Sequence, residues 1–302
     1  MDTRSIYKSK DGERRIKEIY DDLVDDLKVH LDRHFVDTRF GETHVLVAGE
    51  PDNPPLFVFH GGNMPNPVSL SWFLPLAEQF HLHAPDTVGH PGYSSQTRLS
   101  PRDGSYGRWV ADLLDAFGYD HVPMIGPSYG GGIVLQAATE IPDRIERAGL
   151  VNPSGLGTGS LVRMVWRVIV PMLLYRLTSQ ERWLRRSIDP IFSEPLTDVD
   201  ERVIELVALS YDEVKLETEF PKTVDRADLS DFSAPTFLAV AERDIFFPPD
   251  LIVSNARRTI PNLKMIVRLQ GEAHFPSPQG RDELIRYLRD FLTNSANNQY
   301  MD

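Results

Sequence analysis

The chain has no cysteine. Disulfides, thiolate metal sites and a cysteine nucleophile are therefore excluded, and so is an extracellular scaffold stapled by disulfides. A chain of 302 residues needs no such staples, because a domain of that size buries roughly three quarters of its unfolded surface. Long apolar runs are also missing. The most apolar stretch, Leu161 to Leu177, is interrupted by Arg163, Arg167 and Arg176 and contains Pro171. A membrane span needs about 20 apolar residues with few charges, so no stable membrane insertion is expected. The opening MDTRSIYKSKDGERR is charged throughout and lacks the apolar core of a signal peptide. Positive charge is scarce: 32 Lys and Arg stand against 44 Asp and Glu, a formal charge of −12. That balance argues against an electrostatic grip on nucleic acid. The nine histidines are scattered, and His81 and His83, alternating on one strand, make a weak pair, so no metal site is expected. The chain is therefore expected to be soluble, cytoplasmic and globular, and the pattern does not indicate its oligomeric state.

Residues Asp11 to Leu31 carry Ile16, Ile19, Leu23, Leu27 and Leu31 at spacings of three and four, which predicts an amphipathic helix packed on the main body. A hairpin follows, His34 to Thr38 and Thr43 to Ala48 around Arg39-Phe40-Gly41-Glu42. The pattern then alternates. Strands are expected at Leu56–Phe59, His81–Ala84, Val122–Ile125 and Arg147–Val151, with helices at Ser69–Phe80, Tyr106–Phe117 and Tyr129–Glu140. This is an α/β pattern, a mostly parallel sheet with helices on both faces. From Gly155 the alternation breaks into a segment of mostly helical pattern that runs to about Asp231. Sheet pattern resumes at Pro235–Ala241 and Leu263–Leu269, and a last helix spans Gly280–Leu292. Residues 1–155 and 232–302 are thus expected to form the core, with 156–231 inserted as a cap over the carboxyl edge of the strands, where open α/β sheets bind ligands. The tail, residues 294–302, is polar and expected to fray.

The strongest chemical signal is Gly126-Pro127-Ser128-Tyr129-Gly130, a GxSxG between a strand and a helix. Glycines there allow a tight, strained turn that lifts the Ser128 hydroxyl above the sheet. The positive end of the following helix favours developing negative charge. A serine needs a base to act as a nucleophile. His274, in Gly271-Glu272-Ala273-His274-Phe275-Pro276 after the last strand, sits where it can reach back to Ser128. The base needs a carboxylate to set its tautomer. Asp244 ends the neighbouring strand, with Glu242 and Asp250 as nearby rivals and Ile245-Phe246-Phe247 behind it as a shield. The position after Arg147–Val151 reads Asn152-Pro153-Ser154 and offers no carboxylate. An oxyanion formed at this site would need donors. His60-Gly61-Gly62-Asn63 follows a strand, so one N–H is assigned to Gly62, or to Asn63 if the loop is shifted by one, and the second to Tyr129. His60 is expected to brace the loop.

With these residues placed, the chain resembles the α/β-hydrolase fold superfamily. HGGN, DTVGHPGYS, GPSYGGG, AERD and GEAHFP stand in the expected order, over roughly Arg39 to Leu292. The TRFGETHVLVAG hairpin and the helix before it are similar to the N-terminal part of bacterial carboxylesterases of the naproxen-esterase type. The resemblance implies a Ser128/Asp244/His274 triad in the order Ser, Asp, His, no cofactor, and a helical cap that shapes the substrate pocket. Pro91 departs from the simple GxG turn of many relatives, which touches loop shape and not the catalytic set. An aspartate at the elbow marks haloalkane dehalogenases and epoxide hydrolases, and Ser128 excludes both. The expected activity is cleavage of a small-molecule carboxylic ester with an apolar acyl or aryl group, the pocket being lined by Leu161 to Leu177. A lipase with that stretch docked on lipid, a carbon–carbon bond hydrolase, a hydroxynitrile lyase, a cofactor-free haloperoxidase and a ligand-binding member without turnover remain alternatives.

Overall fold

The computed structural model describes residues 5–293, so the polar tail from residue 294 lies outside it. Eight strands form one sheet: β1 (Leu31–Thr38), β2 (Gly41–Ala48), β3 (Pro55–Val58), β4 (His81–Pro85), β5 (Val122–Pro127), β6 (Ile145–Val151), β7 (Thr236–Ala241) and β8 (Leu263–Leu269). Their spatial order is β1-β2-β4-β3-β5-β6-β7-β8. β2 runs antiparallel to both its neighbours, and every other pairing is parallel. The inner strands β5 and β7 are buried along their whole length. That is why they read as continuous apolar runs and not as an alternation.

The helices are α1 (Lys10–Asp26), α2 (Asn66–Phe73), α3 (Ser105–Phe117), α4 (Tyr129–Glu140), α5 (Leu161–Met164), α6 (Val170–Thr178), α7 (Glu181–Ile188), α8 (Glu201–Glu213), α9 (Pro249–Thr259) and α10 (Pro278–Thr293). Residues of α3, α4 and α9 pack with Phe57, Met124 and Leu238 on one face of the sheet. Residues of α1, α2 and α10 pack with Leu56, Ile125 and Phe237 on the other. The helix expected to reach Leu31 is shorter. Ser9 caps α1 by accepting the Gly12 N–H, but Lys28 turns left-handed at φ 52° and Leu31 pairs with Ala48 as the start of β1. Leu31 was apolar for the hairpin and not for the helix. The helix expected at Ser69–Phe80 starts earlier, at Asn66, and tightens into a 3₁₀ turn over Leu74–Glu78, where Pro75 withholds an N–H.

Between β6 and β7 lies the inserted helical region. α5 and α6 form one rod joined by a π turn, Val165–Ile169. Pro171 has no N–H to give the preceding turn, and the wide turn just before it absorbs the mismatch without a break. Helix ends at Glu213, well short of Asp231. The chain from Val214 returns to the core without regular helix, bridged by Val214 to Tyr7. Val214, Leu206 and Leu209 pack with Ile6, Ile16 and Ile19, so α1 buttresses α8. Among the described residues no helix is long and apolar enough to cross a membrane.

Candidate active site

Ser128 stands between β5 and α4 with φ 53° and ψ −116°, a conformation that costs a non-glycine residue of order 1–3 kcal/mol. The surroundings enforce it. A side chain at Gly126 would meet the backbone of Gly130, and one at Gly130 would meet the Phe59 carbonyl, so the turn closes only with glycine at both places. Ser128 is half-buried and opens on a cavity of about 400 Å³. His274 lines the same cavity. The Ser128 hydroxyl makes no hydrogen bond to the imidazole here; such pairs often tighten only in the substrate complex.

The His274 Nδ1 lies 2.7 Å from Asp244 Oδ2. Both side chains are buried. The other carboxylate oxygen, Oδ1, accepts the N–H groups of Phe246 (2.7 Å) and Phe247 (3.1 Å). The two phenyl rings lie 5.0 and 5.7 Å from the imidazole and screen the pair. The rival carboxylates point elsewhere. Glu242 accepts the Gly271 N–H, and exposed Asp250 pairs with Arg268.

The choice between Gly62 and Asn63 turns on a contact that sequence could not show. The Asn63 N–H donates to His90 Nδ1 at 3.1 Å. The Gly61 N–H donates to Ser69 Oγ. The N–H groups of Gly62 and Tyr129 have no partner among the described residues, and both residues line the cavity. His60 braces the loop: its Nδ1–H donates to the Gly61 carbonyl at 2.7 Å, and its Nε2 accepts the Thr87 N–H at 2.8 Å. Asn63 also ties the loop to the inserted region, through Nδ2–H to the Glu217 carbonyl and Oδ1 from the Glu217 N–H.

Burial holds the pKa of His60 below the usual histidine value, and that of His90 well below it; the Arg98 charge adds to the effect at His90, as would a proton on His60. Both are neutral acceptors in the fold. Below about pH 6.5 the unfolded chain binds protons at these sites more readily than the folded chain does. Their contribution to stability is therefore full above about pH 6.5 and is lost as pH falls. Each histidine steepens the loss by up to about 1.4 kcal/mol per pH unit. Urea unfolding midpoints across this range should fall with acid, and His90→Gln should flatten the slope by about one proton. An unchanged slope in His90→Gln would contradict the neutral His90.

Asn152 is a residue that sequence reasoning passed over. It sits at φ 43° after β6, donates through Nδ2 to the His274 carbonyl at 3.2 Å, and accepts the Ala241 N–H at 2.6 Å. It pins the His274 loop to the end of β7. Its signal was an asparagine at a strand end, which tolerates positive φ. The inserted region holds the same loop from the other side: Phe275 N–H donates to the Ile191 carbonyl, and Ser193 Oγ accepts the Ala273 N–H.

Most of the cavity wall is apolar: Trp72, Ile169, Ile188, Phe192, Val207 and Phe220 are among its residues. The Leu161–Leu177 stretch contributes only Met164, Ile169 and Met172. Leu161, Val162, Trp166, Leu173 and Leu177 face outward, which corrects the expectation that the whole stretch lines the pocket. No group of three or more His, Cys, Asp or Glu side chains among the described residues is placed to hold a metal ion.

The backbone has been seen before. Crystal structures of the Bacillus subtilis carboxylesterase CesB (YbfK) and of naproxen esterase (carboxylesterase NP) from Bacillus subtilis match with TM-scores of 0.80 and 0.81. They cover 95% and 94% of this chain, and 100% and 99% of their own, at 20% and 18% identity. A family model described as alpha/beta hydrolase fold matches residues 54–179. The chain has the α/β-hydrolase fold. In sequence it is 28% identical to carboxylesterase YbfK of Bacillus subtilis (strain 168) over 143 residues, 46% of this chain and 47% of that one. The chain spans about half the length of the curated relatives it matches. In this α/β-hydrolase fold the Ser128 turn, the Asp244–His274 pair and the Gly62 and Tyr129 N–H groups, which have no partner among the described residues, lie at the carboxyl edge of the sheet, beneath the insertion.

Proposed function

We propose that the chain is a serine hydrolase that cleaves carboxylic esters through an acyl-enzyme. The observation that carries this is the buried Asp244–His274 hydrogen bond facing the cavity onto which the strained Ser128 turn opens. Ser128 Oγ attacks the ester carbonyl while His274 Nε2 takes its proton. Asp244 keeps the Nδ1 proton in place and stabilises the imidazolium. The Gly62 and Tyr129 N–H groups receive the oxyanion, aided by the N-terminus of α4. His274 returns the proton to the leaving alcohol. Water then repeats the sequence at the acyl carbonyl and frees the acid and Ser128. Labelling with a fluorophosphonate followed by peptide mapping tests the reading: the adduct should sit on Ser128, and an adduct elsewhere would refute it.

The same reading includes the substrate class. The apolar wall favours short to medium aliphatic or aryl acyl groups over charged ones. Each buried methylene adds about 0.8 kcal/mol, so kcat/KM for p-nitrophenyl esters should climb about fourfold per carbon from acetate until the cavity is full, then fall. A profile flat from acetate to palmitate would mean that the apolar side chains pack on each other and not on substrate.

A further inference from the structure

The outward face of the α5–α6 rod is unlike the rest of the surface. Among the described residues, eight large apolar side chains are exposed, and five of them are here: Leu161 and Val162 at 66%, Trp166 at 68%, Leu173 at 46% and Leu177 at 81%. Val162, Trp166, Leu173 and Leu177 follow one another at spacings of four and seven, the spacing of a single helical stripe. The inner face, with Met164, Ile169 and Met172, is apolar too and walls the cavity. A helix apolar on both sides is normally covered on both sides.

The charge beside this stripe points to the cover. Between Leu161 and Ile188 the sequence carries six arginines and one carboxylate, Glu181, in a chain of −12, and of the six only Arg185 is ion-paired among the described residues, with Glu181 and Glu201. Arg163 and Arg167, next in sequence to Val162 and Trp166, have no ion pair among the described residues, and neither has Arg186. A second copy of this chain meeting the face across a two-fold axis would set these arginines against themselves. An exposed Trp and Leu stripe flanked by unpaired arginines complements an anionic interface, where the apolar side chains enter the acyl boundary and the guanidinium groups meet phosphate.

We propose that the outer face of the α5–α6 rod is a docking surface for an anionic phospholipid membrane. The contact is peripheral, since no described helix can span. It stands independently of the esterase reading; where that reading also holds, docking sets the wall of the catalytic cavity against the layer in which apolar esters dissolve.

The test is cosedimentation of the whole protein with vesicles of phosphatidylcholine alone and of phosphatidylcholine mixed with phosphatidylglycerol. The protein should pellet with the mixed vesicles at low salt and be released at high salt. The double variant Arg163→Glu, Arg167→Glu should lower the partition coefficient on the order of 30-fold or more. Trp166→Ser with Leu177→Ser should lower it as well. Tryptophan emission should shift to the blue on binding, and Trp166→Phe should remove the shift. Because the substituted side chains lie outside the cavity wall, hydrolysis of a water-soluble ester should be unchanged in these variants, which excludes misfolding. Ser128→Ala should pellet like the unaltered protein, so a failed hydrolase assignment and a failed docking surface give different results. Absence of pelleting with mixed vesicles at low salt would overturn the proposal, as would pelleting indifferent to lipid charge. A dimer in sedimentation velocity that Trp166→Ser and Leu177→Ser dissociate would overturn it too, assigning the face to a second copy.

Discussion

Ser128→Ala is expected to abolish fluorophosphonate labelling and to lower kcat by about four orders of magnitude or more, because nucleophile and base act as a unit. The fold should survive. No hydrogen bond fixes the Ser128 hydroxyl among the described residues, and alanine has the same backbone demands. Ser128→Gly sharpens the experiment. Glycine adopts φ 53°, ψ −116° without the strain that serine carries. Relief of about 1–3 kcal/mol exceeds the roughly 0.5–1 kcal/mol that glycine loses to the unfolded chain, so this variant should be inactive and about 1 kcal/mol more stable. Activity and thermal or urea unfolding measured on the same preparations check both statements. Retained turnover in either variant would refute the nucleophile, and a destabilised Ser128→Gly would refute the strain.

Asp244→Asn should cost roughly 10³–10⁴ in kcat with little loss of fold, and the hydrogen bonds around the carboxylate give the reason. Oδ1 accepts two backbone N–H groups, from Phe246 and Phe247. An asparagine must keep its oxygen on that side, since its NH₂ would oppose two donors. The NH₂ then faces His274 Nδ1, which becomes an acceptor and moves the ring proton to Nε2. A histidine with its proton on Nε2 cannot take one from Ser128. Glu242→Gln and Asp250→Asn should be close to neutral in kcat, because those carboxylates are bound to Gly271 and Arg268. Loss of activity in Asp250→Asn with Asp244→Asn unaffected would reverse the assignment.

Much of the fold and of the candidate site is legible in the sequence. α4 begins at Tyr129 and ends at Glu140, and β8 runs from Leu263 to Leu269, as the periodicity indicated. Ser128, His274 and Asp244 each follow a strand, and a parallel sheet gathers strand ends along one edge. The boundary of α1 was misjudged because Leu31 extends the helical spacing while belonging to the hairpin. The helical stretch of the insertion was overdrawn past Glu213. Leu216 and Phe220 are apolar because they line the cavity, not because they share a helical face. In sequence Asn152 shows only that a carboxylate is missing there, since its role depends on two partners distant in the chain.

Local rules explain what the sequence by itself determined. Strand and helix periods, the glycines that permit the Ser128 turn, and the order of Ser, Asp and His are properties of short segments, and short segments carry them whatever surrounds them. Tertiary structure alone decided which of two adjacent amides is open. Asn63 and Gly62 are neighbours in HGGN, and only the arrival of His90 from another loop occupies one and leaves the other facing the cavity. It also decided which half of Leu161–Leu177 faces the site. An apolar residue reads the same in sequence whether it lines a pocket or meets solvent, and only the packing of the rod over the sheet edge sends Met164, Ile169 and Met172 inward and Trp166 and Leu177 out.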